Sequence, residues 1–253
     1  MSAKPDRPRA GGRPSADRLS ATGQPRADRL PTGGRPSGDA PGGGATLSLT
    51  ERRKAATQLD IARAAAELFA ERGTDGTTAE DIALRAGVAL RTFYRYFRAK
   101  QDAVAPLLAG GAERWRALLA AGGAAGEPLA RALERSVVEA LAVPDAAAEE
   151  GLRWTRGLLR AAVHDDALRA VWYRVNQDSE ERLSPVLAEL AGPDTDPLEV
   201  RLVAAAATGA IRVALESWAA TDAPAAEAAP LAVRCLRGFV AGPLLRADGR
   251  ITP

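Results

Sequence analysis

Residues 90 to 100 read Leu-Arg-Thr-Phe-Tyr-Arg-Tyr-Phe-Arg-Ala-Lys, an unusually dense run of guanidinium, hydroxyl and aromatic groups. Phe93 and Phe97 are four residues apart, so a helix would place both rings on one face. Arg91, Thr92, Tyr94, Arg95, Tyr96 and Arg98 then face away from them. That face suits nucleic acid. A guanidinium is a planar fork that fits guanine O6 and N7, or a phosphate. Threonine and tyrosine hydroxyls donate to phosphate oxygens and fix register. Lys100 would open the next helix, where an ammonium group and free backbone amides can hold a phosphate. The competing reading is an amphipathic helix whose charged face is merely solvated. The glycine turn and threonine cap that precede the run, and the tyrosines within it, weigh against that.

Three elements must position these side chains. Order is expected from near Leu47, and Thr50 followed by Arg53 and Lys54 suggests a helix start. Leu59, Ala62, Ala66 and Phe69, with Ala65 and Leu68 beside them, fall at helical spacing, so Thr57–Arg72 buries one face. Gly73 stands where a glycine ends a helix, and Thr74–Thr77 form a short loop. Thr78 can cap the next helix, with Asp81 three residues on. That helix, Ala79–Arg85, points Ile82 and Ala83 inward. Gly87 then supplies a turn that needs positive φ, and a third helix runs Leu90–Phe97. Two short helices joined by such a turn form a helix-turn-helix, whose second helix can lie in a major groove.

The segment TTAEDIALRAGVALRTFYRYFRAKQDAV resembles the DNA-binding domain of the TetR family of transcriptional regulators. The preceding ATQLDIARAAAELFAERG is similar to that family's first helix, and Thr92, Tyr94, Phe97 and Lys100 carry the family's core pattern. The likeness covers about residues 53–113. It implies an all-α protein with a three-helix helix-turn-helix domain over 47–100 (the motif itself at about 77–97). A larger helical ligand-binding and dimerisation domain would follow over 101–245. It also implies a homodimer on a palindromic double-stranded DNA operator, usually as a repressor. By motif position Thr78, Thr92, Tyr94, Tyr96 and Lys100 would touch phosphates, with Leu90 and Arg91 nearest the bases. One departure is Ala89, where the family has a capping residue such as serine; an alanine there costs roughly 1 kcal/mol.

Composition agrees with helices. Of 253 residues 46% are hydrophobic but only 4% aromatic, so the core is mostly Ala, Leu and Val, which favours packed helices over sheets. Residues 1–46 carry 8 basic and 4 acidic side chains, residues 47–100 carry 10 and 7, and residues 101–253 carry 16 and 21. The positive charge therefore lies in the N-terminal part, as a nucleic-acid partner requires. Arginine dominates: only Lys4, Lys54 and Lys100 are lysine. Residues 1–46 are rich in Gly, Pro, Arg and Ser, with a loose repeat of Gly-Gly-Arg-Pro-Ser at 11–15 and 33–37. Such a segment buries too little surface to order itself. It is either a drifting linker, an over-extended start, or a basic arm that follows phosphates. Residues 246–253 are likewise expected to be disordered.

No apolar run reaches about 18 residues, and no apolar stretch of signal-peptide type opens the chain. With the single Cys235, these features point to a cytoplasmic protein, nucleoid-associated when on DNA, with no membrane partner. One His and one Cys make a transition-metal site improbable, and no cofactor motif is present. His164 beside Asp165 could orient a base, but no serine elbow or Cys-His arrangement accompanies it. Asp165 fits a helix cap better, so no enzyme is expected.

Residues 101–253 read as helices near 100–121, 127–142, 146–162, 165–191, 197–220 and 227–242, punctuated at Gly122-Gly123, Val143-Pro144 and Gly192-Pro193. Pro185 should kink or break its helix near Ser184. The last two helices carry broad apolar faces: Val200, Val203, Ala204, Ala207, Ile211, Ala214, Leu215 and Trp218, then Leu231, Val233, Leu236, Phe239 and Val240. Faces this broad suggest a partner, which the resemblance implies is a second copy of the chain; the alternative is ordinary core. Pocket candidates are Trp115, Trp154, Trp172, Tyr173 and Trp218, with Arg153, Arg156, Arg174, Asn176 and Gln177 as polar groups. The run Leu152-Arg153-Trp154-Thr155-Arg156 suggests an anion beside an aromatic wall, although each tryptophan could equally be core. Residues 152–240 also resemble the effector domains of actinobacterial TetR regulators that answer to fatty acyl-CoA or other lipophilic acids. The alternative is a helical DNA-binding or interaction protein without any small-molecule effector.

Overall fold

The computed structural model of the protein describes residues 48–122 and 127–241. The expectations for the tail 1–46, for the C-terminus 246–253 and for Gly123 lie outside the described residues. Among the described residues the chain is all-α, with nine α-helices and two short 3-10 turns.

Helix α1 (Leu49–Arg72) begins slightly earlier than Thr50 suggests. Ser48 is the cap. Its hydroxyl accepts from the Glu51 N–H at 3.2 Å, and the Glu51 carboxylate accepts from the Ser48 N–H at 2.8 Å. Both orphan amides are satisfied reciprocally, which a threonine already inside the helix cannot do. Ile61, Ala62, Ala65, Ala66, Leu68 and Phe69 form the buried face, and Gly73 ends the helix with φ 74°. Helix α2 (Ala79–Arg85) is capped by Thr78, whose hydroxyl accepts from the Asp81 N–H at 3.1 Å, while Asp81 accepts from the Thr78 N–H at 3.0 Å. The Thr78 hydroxyl, which donates to the Asp81 carboxylate at 2.7 Å, and then the Thr78 N–H hold that carboxyl below the ordinary aspartate value. Gly87 turns the chain at φ 67°.

Helix α3 (Leu90–Tyr96) has no side-chain cap at Ala89; its first turn is closed by backbone bonds from Thr92 and Phe93 to the Ala89 carbonyl. It stops one residue before the expected end, because Phe97 has already turned to extended backbone, yet its ring is buried. Lys100 does not start an α-helix. A 3-10 turn, Gln101–Val104, intervenes before α4 (Ala105–Ala121).

Helices α5 (Leu129–Ala140), α6 (Ala146–Ala162), α7 (Asp166–Ala191), α8 (Pro197–Ala219) and α9 (Ala228–Ala241) complete the bundle. Asp165 caps α7, accepting from the Leu168 N–H at 2.9 Å. Pro185 does not break α7, which runs unbroken across it. Leu183 and Leu187 on either side are buried, so tertiary packing outweighs the one lost backbone bond. Helix α8 packs between α7 and α9, and α4 between α5 and α7. Val240, expected on the apolar face of α9, has a side chain outside the described residues.

Candidate nucleic-acid interface and effector cavity

Phe93 is fully buried and Phe97 nearly so, with ring centroids 5.6 Å apart. Tyr94 stands edge-on to Phe93 at 5.4 Å. This aromatic footing presents Arg91, Tyr94, Arg95 and Arg98 to solvent; Leu90, Thr92 and Tyr96 are half-buried, and Thr78 is exposed at the start of α2. Arg91 and Arg98 form no side-chain hydrogen bond or ion pair among the described residues. Arg95 lies 4.8 Å from the Tyr96 ring centre and donates to the Tyr96 hydroxyl at 3.1 Å, so these two groups act as one unit. Lys100 Nζ donates to the Thr74 carbonyl at 2.7 Å. That ammonium pins the loop between α1 and α2.

Helix α2 is held to α1 by Arg85, which donates to Glu71 at 2.9 and 3.0 Å and to Glu67 at 3.2 Å. Thr77 is 1% exposed and donates to the carbonyls of Gly73 at 2.9 Å and Leu68 at 3.3 Å. Beyond α3, the 3-10 turn is gripped by α7. Gln101 donates to the Asp165 carboxylate at 3.1 Å, and Arg174 to Asp102 at 2.5 Å. Burial alone would raise the Asp165 carboxyl, but bonds from the Leu168 N–H and Gln101 outweigh it and hold the group below the ordinary aspartate value. His164 is exposed beside this cap. The Asp165 carboxylate is thus occupied by a helix end and an amide.

A cavity with a free volume of about 70 Å³ lies among α4, α5, α6, α7 and α8. Trp115 and Trp172 border it, together with Leu108, Val137, Leu152, Ile211 and Leu215. Trp115 Nε1 donates to Ser136 at 3.0 Å, and Trp172 Nε1 to Glu216 at 2.8 Å. Arg212 also binds Glu216, at 3.0 Å, so the Trp172 indole is fixed from behind. The polar members of the wall are Thr155, Asn176, Ser179 and Thr208; no charged side chain lines it.

The structure thus brings Trp115, Trp172 and Asn176 to one cavity and separates the other pocket candidates. Trp218 is buried and donates to the Pro224 carbonyl at 3.0 Å. Arg156 stacks on its ring at 3.9 Å and donates to the Ala223 carbonyl, on an outer depression that includes Arg153. Trp154 is half-buried, with Arg153 5.6 Å from its ring centre, and does not line the cavity. Tyr173 is 50% exposed, next to Arg212. Arg174 is engaged with Asp102, and Gln177 donates to Glu181. Sequence reasoning did not single out Thr208, Glu216 or Ser136. The available signal for Thr208 was a lone hydroxyl in the Ala-rich run 204–210.

Among the described residues no helix is long and apolar enough to cross a membrane, and no group of His, Cys, Asp and Glu could hold a metal ion. A helix-turn-helix with an exposed cationic and hydroxyl face, joined to an all-α bundle with an internal cavity, defines a two-part DNA-binding regulator. The sequence model for bacterial regulatory proteins of the tetR family matches residues 61–105, and that for the MftR C-terminal domain matches residues 127–242. The chain belongs to the TetR family of transcriptional regulators, proteins that bind DNA and in many cases respond to ligands.

No curated protein matches the chain by sequence. Among solved structures, Thermus thermophilus FadR, a TetR-family repressor in complex with lauroyl-CoA, is 22% identical; the match covers 78% of this chain and 98% of that one, with a TM-score of 0.48. A TetR regulator from Rhodococcus sp. RHA1 is 19% identical, covering 76% and 100%, with a TM-score of 0.42. Family membership rests on the two sequence models and the geometry rather than on these structural likenesses.

Proposed function

We infer that the protein is a repressor that binds a palindromic operator as a homodimer and is released by a small lipophilic molecule. The observation that carries the DNA-binding part is the face of α3: Arg91, Tyr94, Arg95 and Arg98 exposed on a helix anchored by Phe93. Arg91 lies in the first turn of the helix, where side chains reach base edges. Thr78, Thr92, Tyr94, Tyr96 and Lys100 surround it as phosphate contacts, and Leu90 meets the bases beside it. The dimer forms through α8 and α9. Leu198, Leu202 and Val213 are exposed on α8, at spacings that share one side, and Phe239 is exposed on α9.

Release works by population shift: the effector must favour a conformation whose two recognition helices no longer fit successive major grooves, about 34–36 Å apart. Helix α7 can transmit the signal. It borders the cavity with Trp172, Val175, Asn176 and Ser179, and it grips the turn after α3 through Arg174 and its cap Asp165. The cavity favours this reading over a regulator without an effector.

The test is a gel-shift titration against DNA upstream of the protein's own gene, with nonspecific competitor. A discrete shift in steps of dimers is expected; smearing that salt abolishes would defeat the operator reading. In the same assay Arg91→Ala should cost about 1–3 kcal/mol at one half-site position and relax preference there. Uniform weakening on all sequences would make Arg91 a phosphate contact only.

A further inference from the structure

We propose that the cavity takes an uncharged, largely apolar molecule whose one hydrogen-bond acceptor is met by the Thr208 hydroxyl. This rests on the effector reading above and adds the chemistry of the guest. Thr208 lines the cavity, is 6% exposed, and its Oγ1 is buried without a hydrogen-bond partner. Two other helical threonines behave differently: Thr57 donates to the Arg53 carbonyl and Thr155 to the Gly151 carbonyl, each at 3.0 Å and four residues back. A buried hydroxyl left without an acceptor carries a desolvation cost that a carbonyl or ether oxygen of a guest would remove. Asn176 uses its amide N–H on the Trp172 carbonyl at 2.8 Å, so it too is oriented by the protein.

Charge decides the rest. No cation lines the cavity, and an ionised carboxylate placed there would lose its hydration with no counter-ion in return. Arg156, the arginine the sequence offers for an acid, is committed to the outer face of Trp218 and the Ala223 carbonyl. Size narrows the class further. A free volume of about 70 Å³ is roughly half the ~150 Å³ that admits benzene, so a slim guest is favoured over a broad one and its entry must widen the cavity. A short aliphatic ketone or ether is slim and carries that single acceptor.

The experiment uses the full-length protein and a matched pair of probes at pH 7.5: 2-heptanone, and hexanoate, in which a charged oxygen replaces the terminal methyl. Trp115 and Trp172 border the site, so tryptophan fluorescence reads occupancy, with thermal shift as a second readout. Saturable binding of 2-heptanone is expected, with hexanoate at least about tenfold weaker. Thr208→Val should weaken the ketone about five- to tenfold while leaving the thermal midpoint of the free protein unchanged or raised. Hexanoate binding as tightly as the ketone would overturn the proposal. So would ketone binding indifferent to Thr208→Val, no saturable ketone binding, or a lowered midpoint in the free variant. Occupancy is measured without DNA. Should the ketone bind and the operator stay bound, the effector reading fails while the chemistry of the site stands.

Discussion

Two buried threonines distinguish the two halves of the molecule. Thr77, beneath the helix-turn-helix, gives its hydroxyl to two backbone carbonyls, while Thr208, in the bundle, gives its hydroxyl to none. The aromatic rings differ in the same sense. Phe93 and Phe97 close the space under α3, whereas Trp115 and Trp172 border a gap. A surface that must match a fixed groove gains from being complete before it meets DNA, since little then has to be ordered on binding. A half that must respond to a ligand needs packing left unfinished, so that the guest completes it and shifts the balance between conformations. Between them, Asp165 and Arg174 of α7 hold the turn that follows α3.

The contrast can be broken most directly at Phe93. Phe93→Ala should lower the free energy of unfolding by about 3–5 kcal/mol, read by urea titration, and abolish operator binding. Ile211→Val, beside the cavity, should cost only about 0.5–1.5 kcal/mol. A Phe93→Ala loss as small as that of Ile211→Val would mean that the space under α3 is loosely packed.

Two glycines sharpen the comparison with smaller effects of opposite sign. Gly87 has φ 67°, a conformation that disfavours L-residues by roughly 1–2 kcal/mol, so Gly87→Ala should destabilise by about that much. Gly111 sits inside α4 on the cavity wall, and an added Cβ there meets nothing within 4 Å. Gly111→Ala should therefore stabilise by roughly 0.5–1 kcal/mol, seen as a raised melting midpoint. A lowered midpoint would show that the gap is closed in solution.

The smallest effect expected is a pH dependence at the joint between the halves. The folded Asp165 carboxyl is held below its unfolded value. Its contribution to stability is present above the ordinary aspartate range, near pH 4, and is lost as pH falls through the folded value. The melting midpoint of Asp165→Asn should lie below that of the parent at pH 7, and the two should converge towards pH 3. A gap constant from pH 7 to pH 3 would remove Asp165 as a charged clasp.

The sequence by itself determined the features that depend on residues three or four apart. Thr78 with Asp81, the Gly87 turn, the Phe93–Phe97 pair and the Asp165 cap are local bonds and spacings, and the helices they bound stand within one residue of where the pattern puts them. Even so, the start of α1 needed the choice between Thr50 and Ser48, and the reciprocal bond with Glu51 decided it. Tertiary structure decided what several helices make jointly. Pro185 lies in an unbroken helix because Leu183 and Leu187 are anchored in the core. Trp115 and Trp172 share a cavity while Trp218 and Arg156 form a separate stack, although the sequence offered all four for one pocket. On broad apolar helix faces the pattern tolerates several rotations, each sending a given side chain to a different neighbour. Only the simultaneous packing of five helices selects one rotation, and with it the wall in which the Thr208 hydroxyl is left without a partner.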